Sequence, residues 1–242
     1  MTARSWIGTS GWAYPPWKGR FYPRDLPTSA MLGYYASRFT GVEINSTFYR
    51  APSAGSFAPW IAQVPRAFRF AVKAPATISH HKRLRRVEGD LARFAAALGG
   101  LGARRGPALI QLPPNLKKDA ALLEDALEAW PRALKLAVEF RDPSWFDDAV
   151  YAVLRDRGVA LCIADTDDLA TPMVATAAWG YLRLRRLDYT PRALDAWAAR
   201  IRAEAWKDCF VFTRHEDTAL GTGFAARLMK RLAPPRAKRR VS

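Results

Sequence analysis

The 242-residue sequence predicts a single closed (β/α)8 barrel of the TIM type, and two observations point there. Eight short apolar runs recur near residues 6–10, 41–47, 69–74, 108–112, 135–141, 159–165, 180–185 and 209–214. Between most of them lie stretches with helical periodicity, and strands alternating with helices in this way build a parallel sheet. Eight βα units in a chain of 242 residues fit a sheet that closes on itself. A doubly wound open sheet is the alternative, but no Gly-x-Gly-x-x-Gly turn follows the first run, so the barrel is preferred.

Taken in order, the first run opens into a long aromatic loop and then a helical pattern over 29–39. The second run is followed by a helical pattern over 54–63, and the third by a basic loop and a pattern over 88–98. Patterns over 119–130 and 145–157 follow the fourth and fifth runs. Residues 168–178, after the sixth run, make the weakest helix of the series. Patterns over 191–204 and 219–232 complete the seventh and eighth units. The barrel domain is assigned to residues 1–233, and residues 234–242, Pro-rich and basic, are expected to be a disordered tail.

Half of the residues are apolar and a quarter charged, which is ordinary globular composition; the net charge of +16 is not. Such a field favours phosphorylated small molecules or nucleic acid as partners, although Arg-rich composition alone produces it too. The two cysteines, Cys162 and Cys209, fall in strand patterns without CxxC spacing and are expected to be reduced core residues. No signal-peptide or transmembrane run is present, so a soluble cytoplasmic protein with no membrane partner is expected.

The strands end on polar residues at otherwise apolar positions. Glu43 and Asn45 close the second, Lys73 the third, Gln111 the fourth, Glu139 and Arg141 the fifth, and Asp165 the sixth. Arg183 and Arg185 share a face of the seventh. Burying such groups costs a few kcal/mol each unless they are paired or used, and in a parallel barrel these ends build the active site. Glu43, Lys73, Glu139, Arg141 and Asp165 are therefore the candidate catalytic residues. Asn45, Gln111, Arg183, Arg185, Arg214 and His215 are candidate binding residues. Aromatics crowd the first, second and fifth loops, and Trp12, Tyr14, Trp17, Tyr49 and Trp145 are expected to offer stacking walls or to plug the barrel top. The loop from Ser79 to Arg86, with its run of cations, is either an anion clamp or a solvated charge run. Three histidines without metal-ligand spacing give no metal signature; Glu43, Glu139 and Asp165 leave room for one Mg²⁺ or Mn²⁺ held through oxygen. Lys73 is a Schiff-base candidate only if desolvated, since a neighbouring glutamate would keep it protonated.

Ordered motifs along nearly the whole chain carry a family resemblance. They are Gly8-Thr-Ser-Gly-Trp12 with Trp17 and Phe21-Tyr-Pro23, Val42-Glu-Ile-Asn45 with Phe48-Tyr49, Phe70-Ala-Val-Lys-Ala-Pro75 and Gln111-Leu-Pro-Pro114. Glu139-Phe-Arg141 with Ser144-Trp145 and the Asp165 strand end complete the set. Together these resemble the YecE-like family of (β/α)8 barrels, a domain of unknown function, over residues 6–232. Two places depart from the commoner pattern of that family. Arg183-Leu-Arg185-Arg186 stands where Arg-x-His-Gly is usual, and Thr213-Arg-His-Glu-Asp217 where Phe-Asn-Asn is usual, similar to a Lys-His-Glu-Asp branch. Both lie at the site end, so the resemblance implies the fold and leaves the ligand of this branch open.

Three functions fit these residues. The preferred one is an enzyme acting on a phosphorylated or nucleotide-like substrate, with Glu43 and Glu139 as acid/base groups and Lys73 and Arg141 as anion stabilisers. The others are a nucleic-acid-binding protein without robust catalysis, and a glycoside hydrolase using the Glu43/Glu139 pair.

Overall fold

A computed structural model of the chain describes residues 3–233; the tail expected over 234–242 lies outside the described residues. Eight strands run parallel: β1 (Arg4–Thr9), β2 (Gly41–Ile44), β3 (Arg69–Lys73), β4 (Arg105–Gln111), β5 (Leu136–Glu139), β6 (Ala160–Asp165), β7 (Trp179–Leu184) and β8 (Asp208–Thr213). Hydrogen bonding joins them in the order β1-β8-β7-β6-β5-β4-β3-β2. The remaining seam, between β1 and β2, closes through a parallel bridge of Ser10 with Glu43 and a bond from Gly11 N to Glu43 O of 2.8 Å. Glycine is required there: a Cβ on Gly8 would lie 2.0 Å from the carbonyl oxygen of Gly41.

Strand alternation sorts the residues into two cores. Inside the barrel, Trp179 and Tyr181 of β7 and Phe210 and Phe212 of β8 are large, while Ala71 of β3, Ala137 of β5 and Ala160 of β6 are small. Large side chains on one wall opposite small ones on the other fill the interior without a channel. The second, larger core lies between the strands and the surrounding helices and includes Ile7, Val42, Val72, Ile110, Val138 and Val211.

The helices are α1 (Met31–Ala36), α2 (Ser46–Tyr49), α3 (Ala58–Ile61), α4 (Glu88–Ala97), α5 (Ala120–Glu128), α6 (Asp148–Arg157), α7 (Pro191–Ala203) and α8 (Leu220–Leu232). Their ends follow local chemistry: Asp119, Asp147 and Thr190 cap the first turns of α5, α6 and α7 with their side chains, and Gly158 at φ 63° ends α6. Among the described residues, no helix is long and apolar enough to cross a membrane.

Three expectations are corrected. The helix expected over 54–63 is broken into a 3-10 turn at Ala54–Phe57 and α3, because Pro59 opens a new helical turn rather than continuing one. The second strand stops at Ile44 instead of running to residue 47: Asn45 adopts a helical backbone conformation and α2 begins. Residues 168–178 form no helix. Their loop lies along β6, where Thr176 Oγ1 accepts from Leu161 N at 2.7 Å and donates to Val159 O at 2.8 Å.

Candidate active site at the barrel mouth

Inward-facing positions at the C-terminal strand ends place Ser10, Glu43, Lys73, Gln111, Glu139, Arg183 and Arg185 on one hydrogen-bonded floor. Arg183, only 3% exposed, stands at its centre and forks between the two glutamates. One terminal nitrogen donates to Glu43 Oε1 at 2.8 Å and the other to Glu139 Oε2 at 2.5 Å. Fully buried Glu43 also accepts from Ser10 Oγ at 2.7 Å and from Tyr181 OH at 2.8 Å. Glu139 accepts from Gln111 Nε2 at 2.7 Å, which turns the amide oxygen of Gln111 toward Lys73 Nζ, 2.8 Å away. The ring of Phe48, on α2, covers that ammonium with its centroid 3.9 Å distant. Arg185 donates to Ser10 Oγ at 2.7 Å.

Above this floor opens a cleft of about 390 Å³. Asn45, Phe48 and Tyr49 form one wall, Arg141 and the loop Thr166–Asp168 another, and Arg185, Arg214 and His215 the third. Tyr49 is 86% exposed at the rim. His215 is stacked on Tyr14, with centroids 4.7 Å apart and planes 4° from parallel.

Protonation follows from this wiring. Burial alone would raise the pKa of Glu43; the charges of Arg183 and Arg185 and the hydrogen bonds from Ser10 and Tyr181 outweigh it and hold the carboxyl at about 2. Glu139 is likewise held below its ordinary value, burial being outweighed by the charge and hydrogen bond of Arg183. Lys73 moves the other way for a cation: burial first, then the charge of Arg183, bring it down to about 8 despite both glutamates. Burial, Arg185 and Arg214 lower His215. At neutral pH the floor therefore holds two carboxylates that do not take up protons and one amine that readily gives one up.

The fold brings together most of the residues expected from sequence: Glu43, Asn45, Tyr49, Lys73, Gln111, Glu139, Arg141, Arg183, Arg185, Arg214 and His215. Asp165 is a correction. It is the last residue of β6 on the outer face, where its carboxylate accepts from Arg186 Nε at 2.9 Å, Tyr189 OH at 2.9 Å and Trp197 Nε1 at 3.2 Å. The oxygen set Glu43, Glu139 and Asp165 imagined for a divalent ion does not form, and no cluster of three metal-ligating side chains exists among the described residues. Trp17 and Trp145 are corrected too: both are fully buried, with indole nitrogens bonded to Glu216 O and Leu116 O, so they pin loops rather than face a ligand. Trp12 packs edge-on against Trp60, and Tyr14 backs His215 while donating to Ser10 O at 2.8 Å. The expected glutamate acts on Lys73 only from a distance: its hydrogen-bond partner is the amide of Gln111, while the charges of Glu43 and Glu139 still favour the ammonium against burial and Arg183. The basic loop is anchored on neighbouring loops and helices: Lys82 on Asp90, Arg83 on Asn115 and Arg85 on Asp119.

Ser10, Phe48, Tyr181 and the Thr166–Asp168 loop belong to the site and are not among the candidate residues named from sequence. Strand alternation would have found Ser10 and Tyr181, each two residues from an inward-facing neighbour. Phe48 lacks that parity signal because β2 ends at Ile44, although it lies in the aromatic second loop.

Comparison with known proteins places this geometry in a family. The family model described as "Protein of unknown function DUF72" matches residues 6–241. The UPF0759 protein YecE of Escherichia coli strain K12 is 32% identical over 167 residues, which are 66% of this chain and 59% of that protein. The UPF0759 protein YunF of Bacillus subtilis is 27% identical over 154 residues, 60% of this chain and 54% of that protein. The aligned part thus spans under two thirds of the length of either relative. Among solved structures, a DUF72 family protein of Thermotoga maritima is similar with a TM-score of 0.84 at 27% identity, covering 95% of this chain and 99% of that one. One from Enterococcus faecalis, at 17% identity and a TM-score of 0.77, shares the fold, covering 94% of this chain and 95% of that one. With the barrel, the ordered strand-end motifs and a family model spanning nearly its whole length, the chain belongs to the DUF72 family, as a YecE-like member.

Proposed function

We propose that the chain is an enzyme that binds an anionic small molecule, phosphorylated or nucleotide-like, at the barrel mouth and moves a proton with Lys73. One observation carries this reading. Among the described residues, Arg183 alone pairs with Glu43 and Glu139, while Lys73, Arg141, Arg185 and Arg214 line the cleft with no carboxylate within ion-pair distance. Four cations converging on a concave, partly desolvated site are a ready set of ligands for a phosphate or carboxylate.

Lys73, at about pKa 8, is near the value at which a group is effective both as acid and as base at neutral pH. Glu43 and Glu139, both ionised and bonded to Arg183, act as the fixed charge that orients Arg183 and, through Gln111, the amine. A glycosidase needs a protonated carboxyl facing the sugar, and neither glutamate fits that role.

The test is a thermal-shift titration of the full chain with inorganic phosphate, glucose 6-phosphate, AMP and a short single-stranded oligonucleotide. Binding to the native state raises the melting temperature. The expected result is a rise with at least one small phosphorylated compound, lost in Arg185→Ala. A rise with the oligonucleotide alone would favour a nucleic-acid-binding protein instead, and no rise with any anion would end the reading.

A further inference from the structure

We infer that Lys73 is a covalent nucleophile, and that the substrate class is a small aldehyde or ketone carrying a phosphate or carboxylate. This rests on the anion site proposed above and adds a reactive centre to it.

The partner of the amine is the first ground. Lys82, Lys117, Lys118 and Lys135 each hold a carboxylate, from Asp90, Asp142, Asp147 and Asp208 respectively. Lys73, 9% exposed and lining the cleft, instead meets the neutral carbonyl of Gln111. That acceptor is fixed by the bond from Gln111 Nε2 to Glu139. A carboxylate would stabilise the ammonium; an amide oxygen holds one N–H and leaves the lone pair of the neutral amine available. The second ground is the surroundings: the Phe48 ring excludes water from one side, and burial with the Arg183 and Arg185 charges outweighs the two glutamates in disfavouring the protonated form. Burial beside another cation is the setting in which lysines become imine-forming nucleophiles. The third ground is placement. Arg141, Arg185 and Arg214 line the same cleft as Lys73, so an anionic group bound by them leaves an attached carbonyl near the amine.

The step balances without an outside oxidant or reductant. The Nζ lone pair attacks the carbonyl carbon and the C=O π pair moves to oxygen. Proton transfer gives a neutral carbinolamine, and loss of water then forms the C=N bond. Water addition reverses the sequence and returns the free amine.

The full chain is incubated with glycolaldehyde phosphate and cyanoborohydride, and the reduced adduct is located by intact mass and peptide mapping. The expected outcome is a single adduct at Lys73, suppressed by excess inorganic phosphate and absent in Lys73→Arg. It should form roughly tenfold or more faster near neutral pH than at Lys118, whose ammonium is held by Asp147. In the unmodified protein the labelling rate at Lys73 should rise through about pH 8 and level off, a readout that does not depend on any variant folding. Label spread over surface lysines with Lys73 untouched, while phosphate still raises the melting temperature, would overturn the imine and spare the anion site. Lys73 labelling that phosphate neither blocks nor slows, with no thermal shift, would keep the nucleophile and overturn the anion site.

Discussion

Arg183 is the single cation between two carboxylates that are otherwise enclosed, and its removal should expose how much of the mouth it holds. Breaking a buried ion pair from one side leaves an uncompensated charge and typically costs about 3–5 kcal/mol. Arg183→Met should destabilise the chain by that order, read by urea unfolding at pH 7, and the variant should recover stability as the pH falls and the freed glutamates protonate. The unmodified protein should do the reverse. The pKa of Glu43 is lowered from 4.5 to about 2 on folding, so its contribution is present above pH 4.5 and is lost as the pH drops toward 2. That loss is on the order of 3 kcal/mol. Lys73 carries the opposite dependence. Its folded value of about 8 lies below the unfolded 10.5, so between them the unfolded chain binds more protons and stability rises with pH. A rise in unfolding free energy between pH 8 and 9.5 that disappears in Lys73→Met would confirm the depressed amine. An identical profile in both proteins would refute it.

At the scale of strands and loops, parity decides which polar residues meet. The alternation that sends Glu43, Lys73, Gln111, Glu139 and Arg183 inward was legible in the sequence, because each sits an even number of residues from an inward-facing neighbour on its own strand. Asp165 is the exception that parity explains. It ends its strand as Lys73 does, but the inward positions of β6 are Ala160 and Cys162, so an odd offset turns it outward. A polar residue at a strand end does not by itself mark the site; the register that distinguishes one face from the other decides. The aromatic loops misled differently: Trp17 and Trp145 carry the same local sequence signal whether they face a ligand or pin a loop, and only packing separates the two. Asp165 accordingly serves an element rather than the site, since its partners Arg186, Tyr189 and Trp197 tie the β7–α7 loop and α7 to the end of β6. Asp165→Ala should lower stability by about 2–3 kcal/mol through orphaned buried donors. It should leave the phosphate-induced thermal shift unchanged. Arg185→Ala should do the opposite, abolishing the shift at smaller cost to stability, and a common loss of both properties in the two variants would show that Asp165 shapes the mouth after all.

Over the whole molecule the two ends of the barrel are electrostatically distinct. At the N-terminal end of the strands, Arg4 and Lys135 converge on Asp208, whose carboxylate offsets part of their charge. At the other end, cations remain in excess around a cavity. The overall charge of +16 draws anions to every face, whereas the mouth should hold one. Salt separates the two effects, because exposed charges more than about 8 Å apart are largely screened at physiological ionic strength and partly buried ones much less. Neutralising a cation at the mouth, as in Arg214→Gln, should weaken phosphate affinity about three- to tenfold and keep that difference as sodium chloride is raised. Neutralising a remote one, as in Arg132→Gln on the loop before β5, should change affinity less than twofold at low salt and not at all at high salt. Isothermal titration of both variants across a salt series makes the comparison. Equal effects of Arg132→Gln and Arg214→Gln, vanishing together as salt rises, would mean that the general field rather than a built site attracts the anion.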